Sequence, residues 1–510
     1  MGSTESAAGR RAWGWAMPSL ADLLVAALAV RPYFLGPGWE TLLSDANAGL
    51  HILTGDMIRV AGRAPASEPF SFTLPAKAWF AWEWLTAVSA SALHSWAGLG
   101  GVAVAAAALL AAWTALVYRN CVESGRQWIL SAVLTMAACQ AAANHMLARP
   151  HLITWVLLAL AVGLCLKDRR AEGRLIWMLV PLSLVWANLH GGFLTLPVYL
   201  GLTAAGLAAE WLITGREAEK RRAAAKYAGL AGACLAVTVA NPYGVQLHVH
   251  IFEYLRAGWL KELVQEYHAP SAKLGEPYYW FCGLALAAGL ACVSQLRRRE
   301  VAGPAAALFF GWAAFQSARH IPVFLTVALP VVAGEGARAL EWLARRDPRR
   351  SLAATWLQMD AQMLGQASRF SLLLPAFFAL ALAMPARLGA PADFPARDFP
   401  APMVRAQAAA LEQRRLFTTD AWADYVLYHL YPRTRVFVDG MNDFFGPEIG
   451  LEYLEMLEAG PRTGELFERW GFEAALVPAR GPLARWLKAQ DGWEAVAEDR
   501  QSALFRRVKR

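Results

Sequence analysis

Asp45 stands in a polar stretch, residues 41 to 84, that follows the first hydrophobic segment of the chain. A carboxylate poised where a helix begins can accept a proton from a hydroxyl. The same position suits a plain helix N-cap, and spacing alone leaves both readings open. From about Ala46 the residues recur as on an amphipathic helix, with Leu50, Ile52, Leu53, Met57 and Val60 on an apolar side. Asn47, His51 and Thr54, spaced i, i+4, i+7, share the opposite face and could look into a polar cavity, where His51 would supply an imidazole. Glu83 lies between Trp82 and Trp84, a setting for sugar stacking or for an aromatic anchor at a membrane surface. Asp56 reads as a solvated carboxylate.

Two cationic positions stand apart from the other basic residues. Arg149, in Ala148-Arg149-Pro150-His151, and Arg319-His320, ahead of Pro322, sit where membrane topology requires no positive charge. Each could bind an anion or reach a lipid headgroup; two on one predicted face favour a bound phosphate. Asn188, His190, Gly191 and Gly192 interrupt one pair of apolar segments and Asn241-Pro242-Tyr243-Gly244 another. Their polar groups either line a cavity or cap turns. Glu266-Tyr267-His268 adds a carboxylate, so Asn47, Glu83, Asn188, His190, Asn241, Tyr243 and Glu266 are the candidate cavity residues. Asp439-Gly440 reads as a strand-ending turn. No phosphate-binding glycine loop, HExxH or GxSxG occurs in the right context, which leaves soluble nucleotide-sugar or ATP chemistry unsupported. Cys121, Cys139, Cys165, Cys234, Cys282 and Cys292 lie in or beside apolar segments without ligand spacing and read as inert core thiols.

These side chains need a scaffold, and the composition points to a membrane. Hydrophobic residues make up 57% of the 510 and charged residues only 17%, with a mean hydropathy of +0.31. Segments such as Gly98 to Val117 and Leu152 to Leu166 carry no charge and approach the length that crosses ~30 Å of hydrocarbon. The net charge of +8 resides in clusters that border apolar segments: Arg10-Arg11, Arg119 to Arg126, Lys167 to Arg174, Arg216 to Lys226, Arg297 to Arg299 and Arg345 to Arg350. That placement fits cytoplasmic loops rather than nucleic-acid binding. A retained first helix at about 13 to 34 then leads outward, and further helices are expected at 98–118, 128–146, 150–166, 175–190, 193–213, 226–240, 279–296, 301–317, 321–343 and 369–386. The total is about eleven crossings.

The alternation sets the connections at 144–151, 188–192, 241–279 and 317–322 on the outer side. They hold His145, His151, His190, His248, His250, His268 and His320, seven of the ten histidines. The expected organisation is a membrane domain over 1–386, with a first outer loop at 35–97 and a second at 241–279, followed by a soluble domain over 387–510. In 241–279, Ile251, Phe252, Leu255, Trp259 and Leu263 recur as on a second surface helix. After Pro391, Pro395, Pro400 and Pro402, strands at Leu416 to Thr419, Val436 to Val438 and Ala474 to Val477 alternate with helical patterns and close with Ala503 to Val508. The fold class expected is an α-helical polytopic membrane protein with a small C-terminal α/β extracytoplasmic domain.

The pattern resembles the bacterial multi-pass membrane glycosyltransferases of the C-type fold (GT-C), which use polyprenyl-phosphate sugars and include the protein O-mannosyltransferases and the aminoarabinose lipid A transferase. The motifs that carry the resemblance are Asp45, His51 and Gly55; Pro69 to Thr73; Glu83-Trp84-Leu85; Ala148-Arg149-Pro150; Trp186 with Asn188 to Gly192; Asn241 to Gly244; Arg319; and, in the tail, Tyr425, Val436 to Gly440 and Tyr453. The resemblance implies that Asp45, with His51 beside it, deprotonates an acceptor hydroxyl that attacks the anomeric carbon with inversion. Arg149, Arg319 and His320 would hold the leaving phosphate, which needs positive charge rather than a proton. The partners implied are a polyprenyl-phosphate-linked sugar, an acceptor glycan, lipid or protein, and membrane lipid, at a bacterial inner membrane with the N-terminus cytoplasmic and the tail domain outside. Three positions depart from the family pattern. Ala46-Asn47 follow Asp45 where relatives carry a second acidic residue, so no cofactor is expected and divalent-metal use stays open. Met441 replaces an arginine, and Ala423-Asp424 replace paired glycines. The competing readings are a transporter or flippase for a lipid-linked glycan, and a scaffold for envelope assembly; neither an internal repeat nor a mid-helix carboxylate supports transport.

Overall fold

A computed structural model describes residues 15–34, 38–75, 77–215, 217–259, 265–346 and 351–508. Arg10, Arg11, Arg216, Leu263 and residues 347–350 of the last basic cluster lie outside the described residues. Contacts divide the chain into two compact units. The first comprises Met1–Trp39, Ala103–Asn241 and Glu266–Ala390, and the second Glu40–Val102, Pro242–Gln265 and Pro391–Arg510.

The first unit is helical. Leu20–Val25 opens on a capping box in which Ser19 and Asp22 satisfy each other's backbone N–H groups. Trp128–Ala142, His151–Arg170, Leu179–Leu189, Thr195–Ile213, Ala218–Val237, Glu276–Arg297, Ala302–Gln316, Ile321–Arg346 and Leu373–Ala383 follow. Among the described residues five helices are long and apolar enough to cross a membrane: Trp84–Gly125, His151–Arg170, Gly191–Ile213, Glu276–Arg297 and Ala318–Arg346. Buried indoles tie helices together and find polar partners, as buried indole N–H groups must. Trp113 Nε1 donates to Thr326 Oγ1 (2.9 Å) and Trp186 Nε1 to Thr154 Oγ1 (2.9 Å). Small residues let backbones approach: a Cβ on Gly206 would lie 2.4 Å from Ala302 Cα.

Three elements differ from expectation. The end of the expected first outer loop (35–97) and the crossing expected at 98–118 form one helix, Trp84–Gly125, broken at Gly98 (φ 64°, ψ −170°), a conformation a β-carbon would oppose. The crossing expected at 226–240 begins earlier, as Ala218–Val237, because Lys and Arg extend a helix as readily as they end a membrane span. A further helix, Leu352–Ala367, lies between the crossings expected at 321–343 and 369–386, where no element was expected. Its buried Asp360 accepts the Ile129 N–H (2.9 Å) and so caps the helix that starts at Trp128.

The second unit is built on a mixed five-stranded sheet of order β2-β1-β3-β5-β4. Its strands are β1 Arg415–Thr418, β2 Arg435–Val436, β3 Ala474–Pro478, β4 Trp493–Glu498 and β5 Ser502–Arg507. β1 pairs in parallel with β2 and β3, and β5 is antiparallel to β3 and β4. The Pro69 to Thr73 motif extends this sheet: Phe72 N–H donates to Val436 O (3.1 Å) and Val436 N–H to Phe70 O (3.2 Å), while buried Phe70 packs on Tyr431 and Trp79. The helix Asn47–Ala61 packs on Asp420–Leu430 and on the 84–97 segment. Gly49 and Gly55 are the points of closest approach: added β-carbons would meet Tyr428 Cβ at 2.9 Å and Ala87 O at 2.0 Å. Leu50 and Ile52 are buried, whereas Val60 is 91% exposed. In Gln246–Arg256, Leu247 and Ile251 are buried while Val249, Phe252 and Leu255 are exposed, the two-sided pattern of an interfacial helix.

Candidate functional site

In the second unit, Asp45 Oδ1 accepts the Asn47 N–H (2.8 Å) at the start of Asn47–Ala61. The carboxylate therefore serves as a helix-start acceptor, which fixes one oxygen. One and a half turns on, His51 Nε2 lies 3.2 Å from Glu83 Oε2, both side chains being 16% exposed. Burial pushes the His51 imidazole down to about 4, so at neutral pH it is uncharged and donates Nε2–H to the Glu83 carboxylate, leaving the Nδ1 lone pair as the acceptor. An imidazole held this way by a carboxylate has a fixed orientation, and a value near 4 leaves it a weak proton acceptor at neutral pH. Asp56 is exposed, as a solvated carboxylate would be, and it also accepts Ser91 Oγ–H (2.6 Å), while Arg59 donates to Ser91 (3.0 Å) and Ser95 (3.1 Å). Tyr243, read as a cavity residue, accepts the Ala81 N–H through its hydroxyl (2.8 Å).

In the first unit three connections meet around one carboxylate. Arg149 Nη1 lies 3.3 Å from Glu266 Oε2. Arg319 hydrogen-bonds the Tyr267 hydroxyl, with its guanidinium 4.5 Å from that ring's centre. Ser317 Oγ donates to Glu266 O (3.0 Å) and Ala318 N–H to His268 O (3.0 Å), which laces 266–268 to 317–318. His151 Nε2 contacts His145 O (2.7 Å). Burial alone would raise the Glu266 carboxyl; the Arg149 and Arg319 guanidiniums, with His145, outweigh it and hold the group below the usual range. His320 Nδ1 is buried without a hydrogen-bond partner among the described residues.

The remaining first-unit candidates hold turns together. Asn188 Nδ2 donates to Leu184 O (2.9 Å) and Ala240 O (3.1 Å), and Asn241 Nδ2 to Thr238 O (2.8 Å). His190 Nδ1 accepts from Gly192 N–H (2.9 Å) and Thr154 Oγ1 (2.7 Å), which fixes its tautomer. In the tail, Asp439 Oδ1 accepts the Met441 N–H (2.9 Å) as a strand-ending turn would. Burial, with the Glu68 and Asp424 carboxylates nearby, raises its carboxyl well above the usual range. Asp424 fills the space a glycine would leave and accepts the Gly440 N–H (2.8 Å). Among the described residues no His, Cys, Asp or Glu side chains gather as a set of three metal ligands. The residues not named as site candidates from the sequence are His145, Tyr267 and Ser317; the density of histidines in the outer connections hinted at the first, and the Glu266-Tyr267-His268 stretch held the second.

No family model matches the sequence, and no curated protein matches it. Among solved structures, the archaeal oligosaccharyltransferase AglB from Archaeoglobus fulgidus, in complex with an inhibitory peptide and a dolichol-phosphate, aligns over 90% of this chain and 68% of its own. The identity is 11% and the TM-score 0.55. ArnT from Cupriavidus metallidurans bound to undecaprenyl phosphate aligns over 98% of each chain at 14% identity with a TM-score of 0.37. Its apo form aligns over 95% of this chain and 97% of its own at 15% identity with a TM-score of 0.36. Identities this low speak to architecture alone: the chain shares the fold of AglB, the C-type glycosyltransferase fold that its motifs resemble.

Proposed function

We propose that the chain is a membrane glycosyltransferase that moves a sugar from a polyprenyl-phosphate donor to an extracytoplasmic glycan, lipid or protein, with inversion at the anomeric carbon. The observation that carries the reading is the meeting of Arg149, Arg319 and Glu266 from three separate connections. Arg149 pairs with the Glu266 carboxylate, and the charge of Arg319, which is held on Tyr267, acts on the same group, so an anion brought there would meet two guanidiniums. AglB, the fold relative, was solved with a dolichol-phosphate, a lipid of the chemistry proposed here. In the reaction the acceptor oxygen attacks the anomeric carbon, the bond from that carbon to the phosphate oxygen breaks with its electron pair, and Arg149 and Arg319, with His320, offset the phosphate charge. The acceptor proton passes to Asp45, with the His51–Glu83 pair as the neighbouring acceptor. Asn47, Asn188, His190, Asn241 and Tyr243 shape the walls of the loops concerned.

The placement proposed is a bacterial inner membrane crossed about eleven times, the N-terminus cytoplasmic, the membrane domain at 1–386 and the 387–510 domain outside. Transfer of labelled sugar from lipid donor in proteoliposomes tests the reading. Asp45→Asn should lower turnover by roughly 10²-fold or more with unchanged expression, and Arg149→Gln with Arg319→Gln should weaken donor use. Normal turnover by Asp45→Asn removes it as the base, and lipid movement without any transfer favours a flippase.

A further inference from the structure

At the far end of Trp84–Gly125, a cavity of about 250 Å³ opens beside the turn into Trp128–Ala142, within the first unit. Its rim carries Arg119 and Arg126, two turns apart, both exposed. Neither guanidinium makes an ion pair or hydrogen bond with the described residues. Arg126 has a left-handed backbone (φ 52°), a region a non-glycine residue enters at a cost of about 1 kcal/mol, and its N–H closes the helix on Val122 O (2.8 Å). The acidic residue of the rim, Glu123, is engaged by Arg170 (2.6 Å), so the local charge is positive. The floor is apolar: Val122 belongs to a buried cluster with Ala21 and Tyr118, against which Leu364 and Phe370 pack. Tyr118 turns its hydroxyl away, to Ala367 O (2.8 Å).

A cationic rim over an apolar floor, where a membrane-crossing helix emerges from hydrocarbon, matches an amphiphile with a phosphate at its head. The volume is below the roughly 300–1,000 Å³ of pockets that enclose whole ligands, so a headgroup fits and a complete lipid-linked sugar does not. We propose that this recess binds the phosphate of an anionic phospholipid between Arg119 and Arg126, with the glycerol end against Val122, Leu364 and Phe370. The site is independent of the transferase reading.

The test uses the full chain, purified in detergent and titrated with phosphatidylglycerol, phosphatidylcholine or inorganic phosphate, with retention read by native mass spectrometry. Phosphatidylglycerol should bind in preference to phosphatidylcholine. Arg119→Gln with Arg126→Gln should weaken it about twenty-five-fold, at roughly fivefold per guanidinium near a lipid phosphate. Leu364→Trp, which fills the floor and keeps both charges, should also abolish retention, and thermal midpoints without lipid separate either effect from misfolding. Unchanged phosphatidylglycerol binding by the double variant overturns the site. Inorganic phosphate binding as tightly as the lipid, with Leu364→Trp silent, overturns the lipid and leaves a free-phosphate site.

Discussion

His51 and Glu266 respond to acid in opposite ways, and the difference separates their roles. Burial holds His51 at about 4 against an ordinary 6.5. Between those values the unfolded chain binds a proton that the folded chain does not, so stability is lost as pH falls from 6.5 toward 4. The loss is bounded at about 3 kcal/mol, because the Glu83 carboxylate at 3.2 Å favours imidazolium and works against burial. His51→Gln should flatten that stretch of a pH-dependent melting curve; an unaltered slope would mean that another group titrates there. Glu266 is depressed, so its stabilisation is present above the ordinary carboxylate value and is lost only below about 4.5 as pH falls through its folded value. Glu266→Gln should leave the curve unchanged between 6.5 and 4.5. If the two arginines bind phosphate, it should also tighten polyprenyl phosphate by roughly fivefold, the ~1 kcal/mol of a part-buried pair released; weaker binding would make Glu266 a ligand-positioning group instead. Asp45 was recognisable because its two readings are local. The Glu266 partnership was not, since 117 positions separate it from Arg149 and no periodicity records such a pairing.

At the scale of elements, the first polar loop is held by glycine geometry more than by its polar side chains. A β-carbon at Gly55 would overlap Ala87 O, at 2.0 Å, and neither backbone can yield without separating the two helices. At Gly49 the obstacle is the base of the Tyr428 side chain, at 2.9 Å, and a small shift relieves it. Gly55→Ala should therefore destabilise by about 3 kcal/mol despite alanine's better helix propensity, and Gly49→Ala by about 1 kcal/mol. Thermal unfolding of the purified full chain measures both, and equal costs would contradict the packing described. The sequence made β1, β3 and β5 visible because their residues are apolar and buried. β4 was hidden by Glu494 and Glu498, charges that suit an exposed edge strand. The Leu352–Ala367 helix was hidden because its polar residues, Asp360 above all, break the apolar run that marks a span, yet Asp360 is buried to cap another helix. The Pro69 to Thr73 motif is in the same class: its value lies in pairing with Val436, which nothing in its own composition announces.

For the whole chain the number of crossings decides which residues meet which compartment. Among the described residues five helices suffice by length and composition. Others rely on extension: Trp128–Ala142 has 15 residues, about 22 Å at 1.5 Å per residue, against ~30 Å of hydrocarbon. It continues into the Ala143–His145 turn, and Arg174–Met178 lengthens Leu179–Leu189 in the same way. If these composites cross, the basic clusters alternate with the histidine-bearing connections and the chain ends on the side opposite its start. Cysteine labelling can read this directly, because five of the six native thiols are buried and Cys282 is partly so. Ala171→Cys, in an exposed turn after Arg170, should resist a membrane-impermeant maleimide in intact spheroplasts and react once the membrane is opened. Arg500→Cys, in the exposed turn between β4 and β5, should react at once. Labelling of both without permeabilisation would place 171 and 500 in one compartment, and the odd count, with the outward tail domain it implies, would fall.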